Sequence, residues 1–326
     1  MLKACKSWYS YNGGGTALKR IPVYTVSGFL GSGKTTVLVK LAEEFKKRGK
    51  QVGIILNELG DENVEKHLFE DQKVYELLNG CICCTIQDDL VRTLKGFLSG
   101  EQADVLLIEG TGVANPLEIK DVLLSPALIE EFELISMIGI VDASHYLEYQ
   151  SMFSSSKEIR SLLKEQIISS DFIILNKIDI VNEKEKEKVK HKIEKVISSE
   201  IEIFPASYGN VPFEKLAGQR HRIVSLSDTK EHHHHHHHTI GTLKIEDLPS
   251  IQLKVLESWL KEINGLIRAK GYLRVEGETD PREMQYAARK TVLSDTEVNT
   301  EKTVLILIGQ DLNIEEIRDS FKRIFQ

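Results

Sequence analysis

Gly28-Phe29-Leu30-Gly31-Ser32-Gly33-Lys34-Thr35 fits the pattern G-x-x-x-x-G-K-[ST], which cradles phosphates where a strand runs into a helix. The flanking sequence supplies that setting: the apolar run Val23–Ser27 precedes the loop and the amphipathic run Thr35–Arg48 follows it. Glycines let backbone N–H groups curl round an anion at the helix N-terminus, where the dipole adds partial positive charge. Gly28, Gly31, Ser32 and Gly33 form the expected cradle, with Thr36 beside it. Lys34 is expected to reach the β- and γ-phosphates, and the Thr35 hydroxyl to bind Mg²⁺. A glycine-rich turn that carries Lys-Thr by chance is disfavoured, because strand, loop and helix agree.

Outward from this loop, apolar runs at Val52–Asn57, Val105–Glu109, Ile135–Asp142, Phe172–Asn176 and Ile201–Phe204 alternate with helical patterns at Gln87–Leu98, Ser161–Ser169 and Glu183–Ile197. Short apolar strands separated by helices predict βαβ units and a mostly parallel sheet buried on both faces. The fold class is therefore α/β, a P-loop NTPase over residues 21–220, after a loose extension over 1–20. Residues 221–241 form a polar, His-rich connection. Over 242–326 the runs Thr242–Ile245, Tyr272–Val275, Met284–Ala288 and Thr303–Ile308 predict strands. Ile251–Ile263 and Ile314–Ile324 predict helices, giving a smaller C-terminal α+β domain with an antiparallel sheet.

The base is read from Asn176-Lys177-Ile178-Asp179, directly after the strand Phe172–Leu175, since ligands sit at the carboxyl ends of strands in such sheets. The Asp179 carboxylate can accept two hydrogen bonds from the N1–H and N2–H₂ edge of guanine. Asn176 can serve O6/N7, and adenine has no matching pair of donors, so GTP is favoured over ATP. Ser207, after the next strand, can bring a backbone N–H towards O6. Two strands end in a carboxylate, Glu109 and Asp142. Glu109 is preferred as the acid that positions water or lies behind Mg²⁺. It is followed by Gly110-Thr111-Gly112, where glycine at 112 lets a backbone N–H approach the γ-phosphate.

The 326 residues carry 42 Lys+Arg against 49 Asp+Glu, a formal net charge of −7. A mildly acidic chain has no general attraction for phosphate polymers, so nucleic acid is not an expected partner. No apolar run approaches the roughly 20 residues that span a bilayer, and Met1–Arg20 has no apolar centre of a secretory signal. The expectation is a cytoplasmic protein without a membrane partner. Its cysteines then read as thiols rather than as a disulfide framework.

Three of the four cysteines, Cys81, Cys83 and Cys84, fall in Asn79-Gly80-Cys81-Ile82-Cys83-Cys84. Thiolates in this C-x-C-C spacing suit Zn²⁺, which needs a fourth ligand from elsewhere when three sulfurs bind. Glu58 and Asp61, beyond the second strand, are candidate partners. Buried structural cysteines or a redox pair are the other readings. The run His232, His233, His234, His235, His236, His237 and His238 reads as a flexible metal collector without strong selectivity between Zn²⁺, Ni²⁺, Co²⁺ and Cu²⁺. The lone His67, His145, His191 and His221 read as surface or packing residues.

The set Gly28–Thr36, Asn57–Asp61, Asn79–Cys84, Ile108–Gly112 and Asn176–Asp179 resembles the CobW-type GTPase family. Its members include proteins linked to cobalamin synthesis, nitrile hydratase activators and zinc-regulated GTPase metalloprotein activators. Gly265–Tyr272 and Ile308-Gly309 are similar to that family's C-terminal domain, and His-rich insertions ahead of it are a familiar family feature. The resemblance implies a GTP-hydrolysing metallochaperone that delivers Zn²⁺, or a related ion such as Co²⁺, to a client metalloprotein. It also implies that the three cysteines and the nearby acid are metal ligands. This chain departs from the family's usual N-E-F-G-E at Leu59 and Asp61, and has Leu56 where another Glu is frequent. A metal buffer, a P-loop kinase and an energising subunit of a cobalt-insertion pathway are the rival functions.

Overall fold

The computed structural model describes residues 20–56, 73–76, 86–100, 103–112, 115–197, 199–221, 223–226, 240–296 and 302–325. Seven parallel strands form the first sheet: β1 (Ile21–Gly28), β2 (Val52–Leu56), β3 (Lys73–Glu76), β4 (Val105–Glu109), β5 (Phe132–Asp142), β6 (Phe172–Asn176) and β7 (Glu202–Pro205). Their spatial order is β3-β2-β4-β1-β5-β6-β7, so the P-loop strand β1 is central, with β4 on one side and β5 on the other. The expected α/β class is thus found, and every strand pair in this sheet is parallel.

The short β-rich runs form strands because both of their faces are covered. In β4, Leu107 faces one apolar cluster with Val37, Leu38 and Leu41 of α1 (Lys34–Lys47), while Leu106 and Ile108 face the opposite cluster. That second cluster contains Leu90 and Leu94 of α2 (Ile86–Ser99) and Ile119 and Leu123 of α3 (Pro116–Leu123). Side chains alternate across a strand, so a continuous apolar run is the pattern of a strand buried on both faces. Helices α4 (Tyr146–Tyr149), α5 (Lys157–Ile168), α6 (Glu183–Glu194) and α7 (Phe213–Leu216) complete the layers.

In the second sheet the order is β12-β11-β10-β13-β9-β8. Its strands are β8 (Ile223–Ser225), β9 (Ile240–Glu246), β10 (Leu266–Leu273), β11 (Arg282–Ala287), β12 (Lys290–Asp295) and β13 (Val304–Gln310). The pairs are antiparallel except β8 with β9. One face is covered by α8 (Leu253–Glu262) and α9 (Ile314–Phe325), with Trp259 and Phe321 at its centre. The other face sets Tyr272, Ile306 and Ile308 against Leu124 and Ile129, which follow α3. Two ion pairs, Arg268 with Asp121 and Lys244 with Glu130, join the same surfaces.

Several elements differ from the sequence reading. Strand β10 lies over Leu266–Leu273 rather than Tyr272–Val275. Arg268 and Lys270 interrupt its apolar pattern, and Arg268 is matched by Asp121 on the facing surface. Residues 223–225, expected in the connecting segment, form β8 at the edge of the second sheet. Strands β3 and β12 and helix α3 were not among the expected elements. No helix among the described residues is long and apolar enough to cross a membrane.

Candidate nucleotide-binding site

Gly33 ends the loop and caps α1 with a φ of 102°, a left-handed conformation that favours glycine. A Cβ at Gly33 would stand 2.6 Å from Asn176 Nδ2, so the absence of a side chain also lets the base-reading strand close onto the loop. Lys34 opens α1 and is buried. Thr35 Oγ1 donates to the Glu109 carboxylate, 3.1 Å from each of its oxygens. Glu109 is buried at the carboxyl end of β4.

Of the two strand-end acids, then, Glu109 meets the P-loop. Asp142 turns to Lys177, whose Nζ lies 2.7 Å from it, and also accepts from the Ser144 N–H and hydroxyl. Burial alone would raise the Asp142 carboxyl, but these bonds outweigh it and hold the carboxyl below its ordinary range. A hydroxyl beside a buried carboxylate is an all-oxygen donor set, which fits Mg²⁺.

The base-side residues gather round Asn176. Its Nδ2 donates to Ser32 O at 2.9 Å, and its Oδ1 accepts from the Gly209 N–H at 3.0 Å. Asn176 therefore fastens the phosphate loop to the loop after β7, leaving one Nδ2 hydrogen for a base edge. Lys177 adopts a left-handed φ of 62°, and Asp179 is exposed in the short 3₁₀ turn Ile178–Ile180. Ser207 belongs to the neighbouring turn, held by the bond from Ile178 N to Ala206 O at 3.2 Å.

Gly28, Gly31, Ser32, Gly33, Thr36, Gly112 and Ser207 share this carboxyl edge with Lys34, Thr35, Glu109, Asn176, Lys177 and Asp179. The other expected site residues, Glu58, Asp61, Cys81, Cys83, Cys84 and His232 to His238, lie outside the described residues. Among the described residues no group of three or more His, Cys, Asp and Glu is arranged to hold a metal ion.

Supporting residues that the sequence analysis did not single out also emerge. Lys40 of α1 donates to Tyr208 O at 2.6 Å and to Asn210 Oδ1. It ties the helix that opens at the phosphate loop to the turn beside the base. Gln166 of α5 donates from Nε2 to Gly112 O at 3.1 Å. Glu165 accepts from Asn115 Nδ2 at 3.0 Å, and Asn115 Oδ1 caps α3 by accepting from the Leu117 N–H. The one local signal among them is Asn115-Pro116, an N-cap followed by proline at the first helical position.

A glycine-rich loop on the central strand, an acid on the next strand facing its threonine, and the Asn176–Asp179 loop two strands away, fastened to the first loop through Asn176, define a P-loop nucleotide-binding protein. Residues 22–205 match the family described as CobW/HypB/UreG, nucleotide-binding domain, and residues 240–325 match the cobalamin synthesis protein cobW C-terminal domain. The zinc chaperone YjiA of Escherichia coli is 30% identical over 324 residues, covering 92% of this chain and 98% of the relative. The zinc chaperone CobW of Pseudomonas aeruginosa is 24% identical over 349 residues, covering 94% and 92%. The crystal structure of Zn(II)-bound YjiA GTPase from E. coli shares the fold, with a TM-score of 0.50 at 22% identity, over 95% of this chain and 100% of that one. The chain belongs to the CobW family of P-loop GTPases.

Proposed function

We propose that this protein is a cytoplasmic metallochaperone that binds Zn²⁺ as cargo through Cys81, Cys83 and Cys84 and transfers it to a client metalloprotein as GTP is hydrolysed. The observation that carries the reading is the Thr35–Glu109 contact at the mouth of the P-loop. It sets an oxygen pair for Mg²⁺ beside the ammonium-bearing residue of the loop. Lys34 offsets charge on the β- and γ-phosphates, and the loop N–H groups receive the charge that develops on the transferred phosphoryl group. Thr35 and Glu109 would hold Mg²⁺, which would further neutralise that charge. Glu109 and the Gly112 N–H orient the γ-phosphate side, while Asp179 and Asn176 select guanine.

Strand register supports coupling of cargo to nucleotide. Leu56 and Glu76 are paired on adjacent parallel strands, and Leu56 is paired in turn with Glu109. Both strands therefore end in one row with the acid, and in the sequence Glu58 and Asp61 follow β2 while the cysteines follow β3. A γ-phosphate that orders the segment after β2 would hold an acidic ligand on the metal, and hydrolysis would release it. The His run serves as a reservoir.

Lys34→Ala tests the reading in cells and in vitro. A GTP-driven chaperone loses phosphate release and delivery of zinc to its client together, whereas a metal buffer keeps its cellular role with that substitution.

A further inference from the structure

Gly112 sits against the phosphate loop: a Cβ there would stand 2.9 Å from Leu30 N. A glycine has wide freedom in φ and ψ, and that freedom must be removed before its N–H can meet a phosphate in one geometry. The restraint comes from α5. Gln166 Nε2 holds the Gly112 carbonyl, and one residue earlier Glu165 holds Asn115, the cap of α3. Two consecutive residues of one helix thus hold Gly112 and Asn115 in the short segment that links Glu109 to α3.

Gln166 is only 3% exposed, and its Oε1 is buried with no hydrogen-bond partner. A buried acceptor without a partner is unfavourable, and a leucine or methionine of similar size would avoid it. The Nε2 donation to Gly112 is the interaction that a glutamine provides here and an apolar side chain does not. We infer that Gln166 is a positioning residue for the γ-phosphate: by fixing the Gly112 carbonyl it aims the N–H of the same residue, and so sets the preference for GTP over GDP. It acts through Gly112 and touches no phosphate itself. The inference rests on the proposed role of Gly112 in sensing the γ-phosphate.

The test compares GDP and non-hydrolysable GTP-analogue affinities, with single-turnover phosphate release, for the full chain and three variants. Gln166→Met keeps the volume and removes the donor. Asn115→Ser keeps a capping oxygen and removes the bond to Glu165. Gln166→Glu donates only when protonated.

Gln166→Met is expected to lose about tenfold in GTP-analogue affinity and in phosphate release, the scale of one hydrogen bond, with GDP affinity and melting temperature unchanged. Asn115→Ser should lose less, in the same direction. In Gln166→Glu the GTP-to-GDP affinity ratio should fall as pH rises through the titration of the buried carboxyl, while it stays flat in the wild type. Unchanged ratios in Gln166→Met, or equal losses for GDP and the GTP analogue, overturn the inference. A wild type that binds no GTP analogue, or binds it without phosphate release from GTP, overturns the GTPase reading instead.

Discussion

At the scale of single residues the site is built from charges whose neighbours fix their state. Asp142 is the clearest case, because burial opposes its ionised form and the bonds from Lys177 and Ser144 prevail. A carboxyl whose folded pKa is depressed contributes stability that is fully present above its unfolded pKa, about 3.9, and is lost as pH falls towards the folded value. Chemical denaturation from pH 7 down to pH 3 should therefore show wild type losing stability faster than Asp142→Asn, so that the difference between them narrows in acid. A difference that stays constant through this range would mean that Asp142 is not held ionised by Lys177. Glu109 and Asp142 are both apolar-strand carboxylates in the sequence, and their spacing from the P-loop does not say which one meets Thr35. Both strands flank β1, and it is the contact that decides: Glu109 at the end of β4 accepts from Thr35, while Asp142 at the end of β5 is taken by Lys177.

At the scale of elements, α3 joins the nucleotide edge to the rest of the molecule. Its start is capped by Asn115, and its interior carries Lys120, a fully buried lysine lowered to about 8 by burial, against which the Asp171 charge acts. Asp171 is raised by its own burial and accepts from the Met137 N–H. Lys120 is fully buried while Asp171 keeps partial contact with solvent, so removing one charge costs about 3 kcal/mol, the low end for a broken buried pair. Lys120→Met should destabilise by that order in urea unfolding, and adding Asp171→Asn should return most of it. A single variant as stable as wild type would show that the two charges are not coupled.

The limits of sequence reading are visible at the same scale. The P-loop, β4 and the strand β6 with the Asn176–Asp179 turn at its end were legible because their signals are contiguous. Strand β3, Lys-Val-Tyr-Glu over 73–76, is short and half polar, so its identity comes from pairing with β2 rather than from its own pattern. Gln166 is one polar position in an amphipathic helix. Its role depends on a loop 54 residues away in sequence, which no local period reports.

At the scale of the whole molecule, the surface of the C-terminal sheet that faces the GTPase domain meets α3 and the turn after it. Ile306 and Ile308 pack near Leu124 and Ile129, and Arg268 meets the buried Asp121. The element that begins beside the γ-phosphate segment is thus the one against which the second sheet rests. On the other side of β1 from β5, β2 pairs with β4 and β3 pairs with β2, so Leu56 and Glu76 stand in the row that ends at Glu109. The candidate metal ligands follow these two strands in sequence, and this arrangement underlies the proposal that cargo affinity follows nucleotide state. The direct measurement is a competitive zinc titration of the full chain in its GDP-bound and GTP-analogue-bound states, with Cys83→Ala alongside. The account predicts zinc held at least about tenfold more tightly with the GTP analogue, about 1.4 kcal/mol, and that this difference disappears in Cys83→Ala. Equal zinc affinity in the two nucleotide states would contradict it.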